Sequence, residues 1–111
     1  KILGVSLLTS LDETDINMLY GNDFDKQFNN LISVANNSKV DGIVCSSREL
    51  TMLSSSSLLK VVPGIRNVKS NDDQKRVMSA KEAYENGADF IVVGRPITLS
   101  GNVSKIFQEY I

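Results

Sequence analysis

Four apolar runs, each followed by a stretch of helical character, constrain the fold of this chain more than any other feature. They fall at residues 2–8, 40–45, 58–62 and 90–93. Each is close to continuously apolar instead of alternating, which is the pattern of strands covered on both faces and therefore of a parallel sheet. Parallel neighbours need long crossovers, and the intervening segments supply them. Phe24, Phe28, Leu31, Ile32 and Ala35 form one face of a helix, with Asp23 as its N-cap and Asn36-Asn37 as its stop. Residues 47–53 read as a short helix fading into the serine run 54–57. Ser79 with Glu82 has capping-box spacing and starts a helix through Tyr84 that Gly87 ends. Asn102 caps a last helix whose Val103, Ile106, Phe107 and Tyr110 share a face. Phe28, Tyr84 and Phe107 are expected in the core. Residues after Ser10 and before Asp23 read only as a polar stretch.

Two of the runs end alike, in Val62-Pro63-Gly64-Ile65-Arg66 and Val92-Val93-Gly94-Arg95-Pro96-Ile97-Thr98. Glycine lets backbone N–H groups approach a ligand closely, and arginine adds a planar, permanent charge. Two such loops side by side would clamp a phosphate. Residues 67–78 are polar, carry five charges and are long for a connection, as lids and binding loops often are. Four βα units with ligand loops at the C-terminal strand ends fit an α/β fold, half of a TIM (β/α)8 barrel. An open flavodoxin-like sheet competes with it, but would gather its ligand at a single switch point.

With 111 residues the chain is one domain at most, with enough length to bury a core. Its net charge of −1 gives no basic stripe, so neither nucleic acid nor an anionic membrane is an expected partner. No apolar run approaches the ~20 residues of a membrane span and no signal-peptide pattern opens the chain, so the cytoplasm is the expected compartment. Lys1 leads directly into the first strand, which reads as the middle of a protein. Cys45 is alone and is expected to be a buried structural thiol. With no histidine, zinc-type clusters and Ser-His-Asp or Cys-His nucleophiles are excluded. Acid–base chemistry would fall to Asp, Glu, Lys or Tyr.

Leu8-Thr9-Ser10, Asp41-Gly42-Ile43-Val44-Cys45-Ser46, Pro63-Gly64-Ile65-Arg66, Asp73-Gln74-Lys75-Arg76-Val77 and Gly87-Ala88-Asp89, leading to Val93-Gly94-Arg95-Pro96-Ile97-Thr98, follow one another in an order that resembles the orotidine 5′-phosphate decarboxylase family. The resemblance covers essentially the whole chain. It implies a lyase that converts orotidine 5′-monophosphate to uridine 5′-monophosphate and CO2 without a metal or organic cofactor, working as a homodimer. By the same resemblance, Thr9 and Ser10 contact the pyrimidine. Gln74 reaches from the long loop toward base and phosphate, and Arg66 belongs to the ligand-binding set. Gly94 and Arg95 hold the phosphate through a backbone N–H and the guanidinium.

The family's Asp-x-Lys-x-x-Asp signature, whose lysine protonates the carbon that loses CO2, occurs nowhere in the sequence. The resemblance therefore implies that residues 1–111 are the C-terminal half-barrel, strands 5 to 8, with the catalytic set in an N-terminal half absent from this chain. On this reading the chain alone is inactive and pairs with that half. The alternative is a noncatalytic phosphate- or nucleotide-binding half-barrel that assembles with itself or a partner to cover its open sheet edges.

Overall fold

Strands β1 (Leu3–Val5), β2 (Gly42–Val44), β3 (Leu59–Pro63) and β4 (Phe90–Val92) form one parallel sheet in the order β1-β2-β3-β4. The computed structural model describes residues 1–67 and 78–111. Helices α1 (Glu13–Tyr20) and α2 (Phe24–Asn37) connect β1 to β2, and α3 (Ser47–Leu50) with a 3-10 turn (Thr51–Leu53) connects β2 to β3. Helix α4 (Ala80–Glu85) precedes β4, and α5 (Arg95–Thr98) and α6 (Val103–Gln108) follow it. The sequential order contains no internal switch point, which sets aside the flavodoxin-like alternative.

Register is fixed at the N-terminal strand ends by two aspartates. The N–H of Ile2 donates to Asp41 at 2.6 Å while the N–H of Asp41 donates to the carbonyl of Ile2 at 2.9 Å. Asp89 repeats the exchange with Lys60, at 2.8 and 2.9 Å. Between these ends, Gly42 pairs with both Leu3 and Leu59, and a Cβ there would meet the Leu59 carbonyl oxygen at 2.6 Å. Only glycine lets the three strands lie this close at that level.

Helices cover one face of the sheet. Helix α2 turns Phe24, Gln27, Phe28 and Ala35 inward, and a Cβ on Gly4 would lie 3.9 Å from that of Ala35. Ile43, Val62, Leu50 and Leu53 complete the buried centre. The expectation that all four strands are covered on both faces holds only partly. Leu3 and Val5 on β1, and Phe90 and Val92 on β4, point their side chains to solvent. Among the described residues no element packs over that second face.

Asp23, Ser79 and Asn102 cap α2, α4 and α6 as expected, and Gly87 takes φ 93° at the end of α4. Strands β1, β2 and β4 are shorter than the apolar runs, while β3 keeps five residues and lies one residue later than its run. Helix α1 lies in the polar stretch after Ser10, and α5 occupies the loop expected after Gly94. Phe28 is buried, but Tyr84 and Phe107 are 48% and 47% exposed, contrary to expectation. On α4 the inward row is Ala80 and Ala83, and Tyr84 stands one residue beyond it. On α6 only Ile106 of the expected row is partly buried, Tyr110 is buried just beyond the helix end, and Val103 and Phe107 face outward. The loop at 67–78 lies outside the described residues except for its two ends. No described helix is long and apolar enough to cross a membrane.

Candidate functional site

The C-terminal ends of the strands open onto one cleft of about 830 Å3. Each wall comes from a different βα unit. Leu7, Leu8 and Thr9 arrive from β1, and Asp12 and Glu13 from the start of α1. Ser46, Arg48 and Glu49 come from the β2–α3 junction, Gly64 and Arg66 from the exit of β3, and Arg95 from the first turn after β4.

Local chemistry explains these placements. Gly64 has φ 76°, a left-handed conformation that turns the chain directly out of β3, and the N–H of Arg66 then donates to the carbonyl of Met78 at 3.1 Å. Arg95 opens α5 one residue after Gly94, with Pro96 next to it fixing the helical start. Both arginines also border a second hollow of about 400 Å3 against α6, lined by Leu99, Ile106 and Tyr110.

Three cations border the main cleft, and they differ in engagement. Arg48 Nη2 lies 3.0 Å from Glu13 Oε1, and its guanidinium stacks 3.8 Å above the Phe24 ring. It is a wall, tied across to α1. Among the described residues the guanidinium groups of Arg66 and Arg95 have no carboxylate partner. Their charge is open to an anion, and guanidinium forks match phosphate oxygens.

Glu49 is 1% exposed. Its Oε2 accepts from Ser6 Oγ at 2.9 Å and from the N–H of Ser46, while Oε1 is buried with no partner. Burial pushes this carboxyl above its ordinary range, against the pull of the Ser46 and Ser6 hydrogen bonds. Cys45, buried as expected, has its thiol pushed up to about 12, by burial first and by Glu49 second. Among the described residues no cluster of acidic or thiol side chains is arranged to hold a metal ion.

Of the residues singled out in the sequence, Thr9, Arg66 and Arg95 meet around this cleft. Ser10 and Gly94 adjoin Thr9 and Arg95 without lining it, and Gln74 lies outside the described residues. Glu49 and Arg48 are cleft residues that the sequence did not single out, and Phe24, expected only as part of a helix face, also lines the cleft. One signal was available for Glu49: Ser46-x-x-Glu49 has the same capping-box spacing as Ser79-x-x-Glu82.

Residues 1–110 match the profile of the Orotidine 5′-phosphate decarboxylase / HUMPS family. An orotidine 5′-phosphate decarboxylase of Campylobacter fetus is 41% identical over 97% of this chain and 49% of its own length. One from Aquifex aeolicus is 47% identical over 92% of this chain and 47% of its own length. The crystal structure of orotidine 5′-phosphate decarboxylase from Lactobacillus acidophilus superimposes with a TM-score of 0.74 at 30% identity, covering 99% of this chain and 49% of that one. This chain thus spans about half the length of the relatives it matches, and its four βα units are half of a (β/α)8 barrel. Matched along nearly all its residues by profile, relatives and fold alike, the chain belongs to the Orotidine 5′-phosphate decarboxylase / HUMPS family.

Proposed function

We propose that this chain is the C-terminal half-barrel, strands 5 to 8, of a cytoplasmic orotidine 5′-phosphate decarboxylase, and that it carries much of the nucleotide clamp of that enzyme. The single observation supporting this most directly is the convergence of Thr9, Arg66 and Arg95, from three strand ends, on one cleft. On this reading Thr9 and Ser10 contact the pyrimidine of orotidine or uridine 5′-monophosphate, with Gln74 approaching from the 67–78 loop. Gly94 and Arg95 hold the phosphate, and Arg66 stands beside them. A dianionic phosphate gripped by charge-assisted hydrogen bonds supplies binding energy that can be used at the distant reacting carbon.

The chemistry itself belongs to the other half. Among the described residues no lysine lines the cleft, and no Asp-x-Lys-x-x-Asp motif occurs in the sequence. The lysine and its carboxylates come from an N-terminal half-barrel, which would also cover the exposed apolar side chains of β1 and β4. The completed enzyme is a homodimer that uses no metal or organic cofactor, and this chain alone does not turn over.

The test is calorimetric titration with 6-hydroxyuridine 5′-monophosphate, a mimic of the anionic intermediate. It is run on this chain alone and after addition of a lysine-bearing N-terminal half. The expected result is tight binding of the analogue, and CO2 release from orotidine 5′-monophosphate supplied separately, in the mixture only. Binding by the chain alone with no gain in the mixture favours the noncatalytic half-barrel, for which the exposed sheet face offers self-association.

A further inference from the structure

We propose that Glu49 is a positioning residue for the base-binding end of the cleft, locking the exit of β1, which leads to Thr9, against the start of α3, which carries Arg48. The inference rests on the nucleotide reading above. One carboxyl oxygen accepts from two strand exits far apart in sequence, through Ser6 Oγ at 2.9 Å, 43 residues from Glu49, and the N–H of Ser46, 3 residues from it. Ser6 is itself pinned to the neighbouring strand, its N–H donating to the carbonyl of Val44 at 3.0 Å. Stability alone is a poor explanation for a carboxyl that is 1% exposed. An apolar side chain would fill the same space without desolvating a polar group, and Oε1 is left with no partner. What a carboxyl supplies, and an apolar group cannot, is a fixed relation between the two loops that flank the β1 side of the cleft. The phosphate end comes from β3 and β4 and, among the described residues, shares no hydrogen bond with Glu49. Glu49 should therefore act on one end only.

The experiment compares affinity for uridine 5′-monophosphate with that for ribose 5-phosphate, by calorimetry on the chain with a lysine-bearing N-terminal half added. Glu49→Ala is expected to weaken the nucleotide by about tenfold or more, as loss of two buried hydrogen bonds does. Ribose 5-phosphate should be unchanged. Glu49→Gln, whose amide oxygen can take both hydrogen bonds, should restore the nucleotide affinity. Should Glu49→Ala fail to fold, Ser6→Ala removes the same link from the other side and must reproduce the one-ended loss. Equal losses for both ligands, or no loss for either, would overturn the positioning role while leaving the nucleotide reading intact. Failure of the unsubstituted protein to bind either ligand would overturn that reading and this inference with it.

Discussion

The backbone N–H of Asn67 donates to the Tyr110 hydroxyl at 3.1 Å, joining the residue after Arg66 to the end of the chain. The Asn67 side chain extends the link. Its Nδ2 donates to the carbonyl of Glu109 at 2.7 Å, and its Oδ1 accepts from the N–H of Ala80 at 2.9 Å. The backbone beside Arg66 is thereby fastened to the segment after α6 and to the first turn of α4. Asn67→Ala removes two of these bonds, and at about 1 kcal/mol each the expected loss is roughly 2 kcal/mol. Tyr110→Phe should lose about half as much. Urea unfolding of both variants checks this, and an unchanged midpoint in Asn67→Ala would show the junction to be idle.

A second prediction separates two glycines. A Cβ at Gly42 would meet Leu59 Cβ and Leu3 Cδ2 at 2.8 Å each, besides the Leu59 carbonyl. Gly42→Ala must push three strands apart, at a cost of about 1–3 kcal/mol. A Cβ at Gly101 meets nothing within 4 Å, and no left-handed backbone is required there. Gly101→Ala should leave stability within about 0.5 kcal/mol of the parent. Equal urea midpoints for the two variants would mean that the strands do not approach at Gly42 as described.

These contrasts also show what a sequence discloses. Asp23, Ser79, Glu82 and Gly87 were legible because caps act over one turn of chain and depend on nothing distant. The Gly-Arg endings were legible for a related reason, since a strand exit and its charged residue are neighbours in sequence. Helix α1 was not, because only Ile16 of its residues is buried while Met18, Leu19 and Tyr20 face out, leaving no apolar stripe to read. Helix α5 has four residues, too few for a period. Glu49 was the deepest omission. A capping-box glutamate is ordinarily exposed, and only the pairing of β1 with β2, which brings Ser6 over it, makes this one a buried cleft residue.

Two carboxyls should give the stability profile opposite slopes. Asp41 is held below its usual value of 3.8, chiefly by the N–H of Ile2 and then by the Lys1 side-chain charge. Its contribution is present above pH 3.8 and lost as pH falls through the lower folded value. Glu49 titrates above its usual 4.5, so the folded state holds its proton more tightly than the unfolded chain does. Its contribution is complete below pH 4.5 and declines as pH rises through the folded value, with Arg48 opposing the shift. Asp41→Asn should remove the acid limb, and Glu49→Gln should flatten the decline above it. Urea midpoints between about pH 3 and about pH 8 resolve both limbs. A Glu49→Gln profile parallel to the parent's would show that Glu49 does not titrate differently on folding.

Cys45 offers a probe of opening. Its thiol, raised to about 12 and buried, has almost no thiolate near pH 8, and the thiolate is the reacting species. Alkylation of the native chain should be slower by orders of magnitude than in denaturant, and paced by transient exposure of the β2 exit. Comparable rates in the two states would contradict the burial.

The phosphate assignment is tested most sharply by comparing three arginines that border one cleft. Arg95 is exposed and, among the described residues, has no carboxylate partner. Arg95→Ala should therefore leave stability within about 0.5 kcal/mol of the parent. If Arg95 grips a phosphate, the same change removes a charge-assisted contact of about 1.5–3 kcal/mol, or roughly 10- to 100-fold in affinity for uridine 5′-monophosphate. Arg66→Ala should act in the same direction. Arg95→Lys should recover part of the loss, since an ammonium keeps the charge but not the planar fork. Arg48→Ala should show the reverse pattern, because its guanidinium is already committed to Glu13 and the Phe24 ring. That change should cost roughly 1 kcal/mol of stability and little affinity. Uridine, which lacks the phosphate, is the control ligand. If its affinity falls as far as that of the nucleotide in Arg95→Ala, the arginine is shaping the cleft and not holding the phosphate.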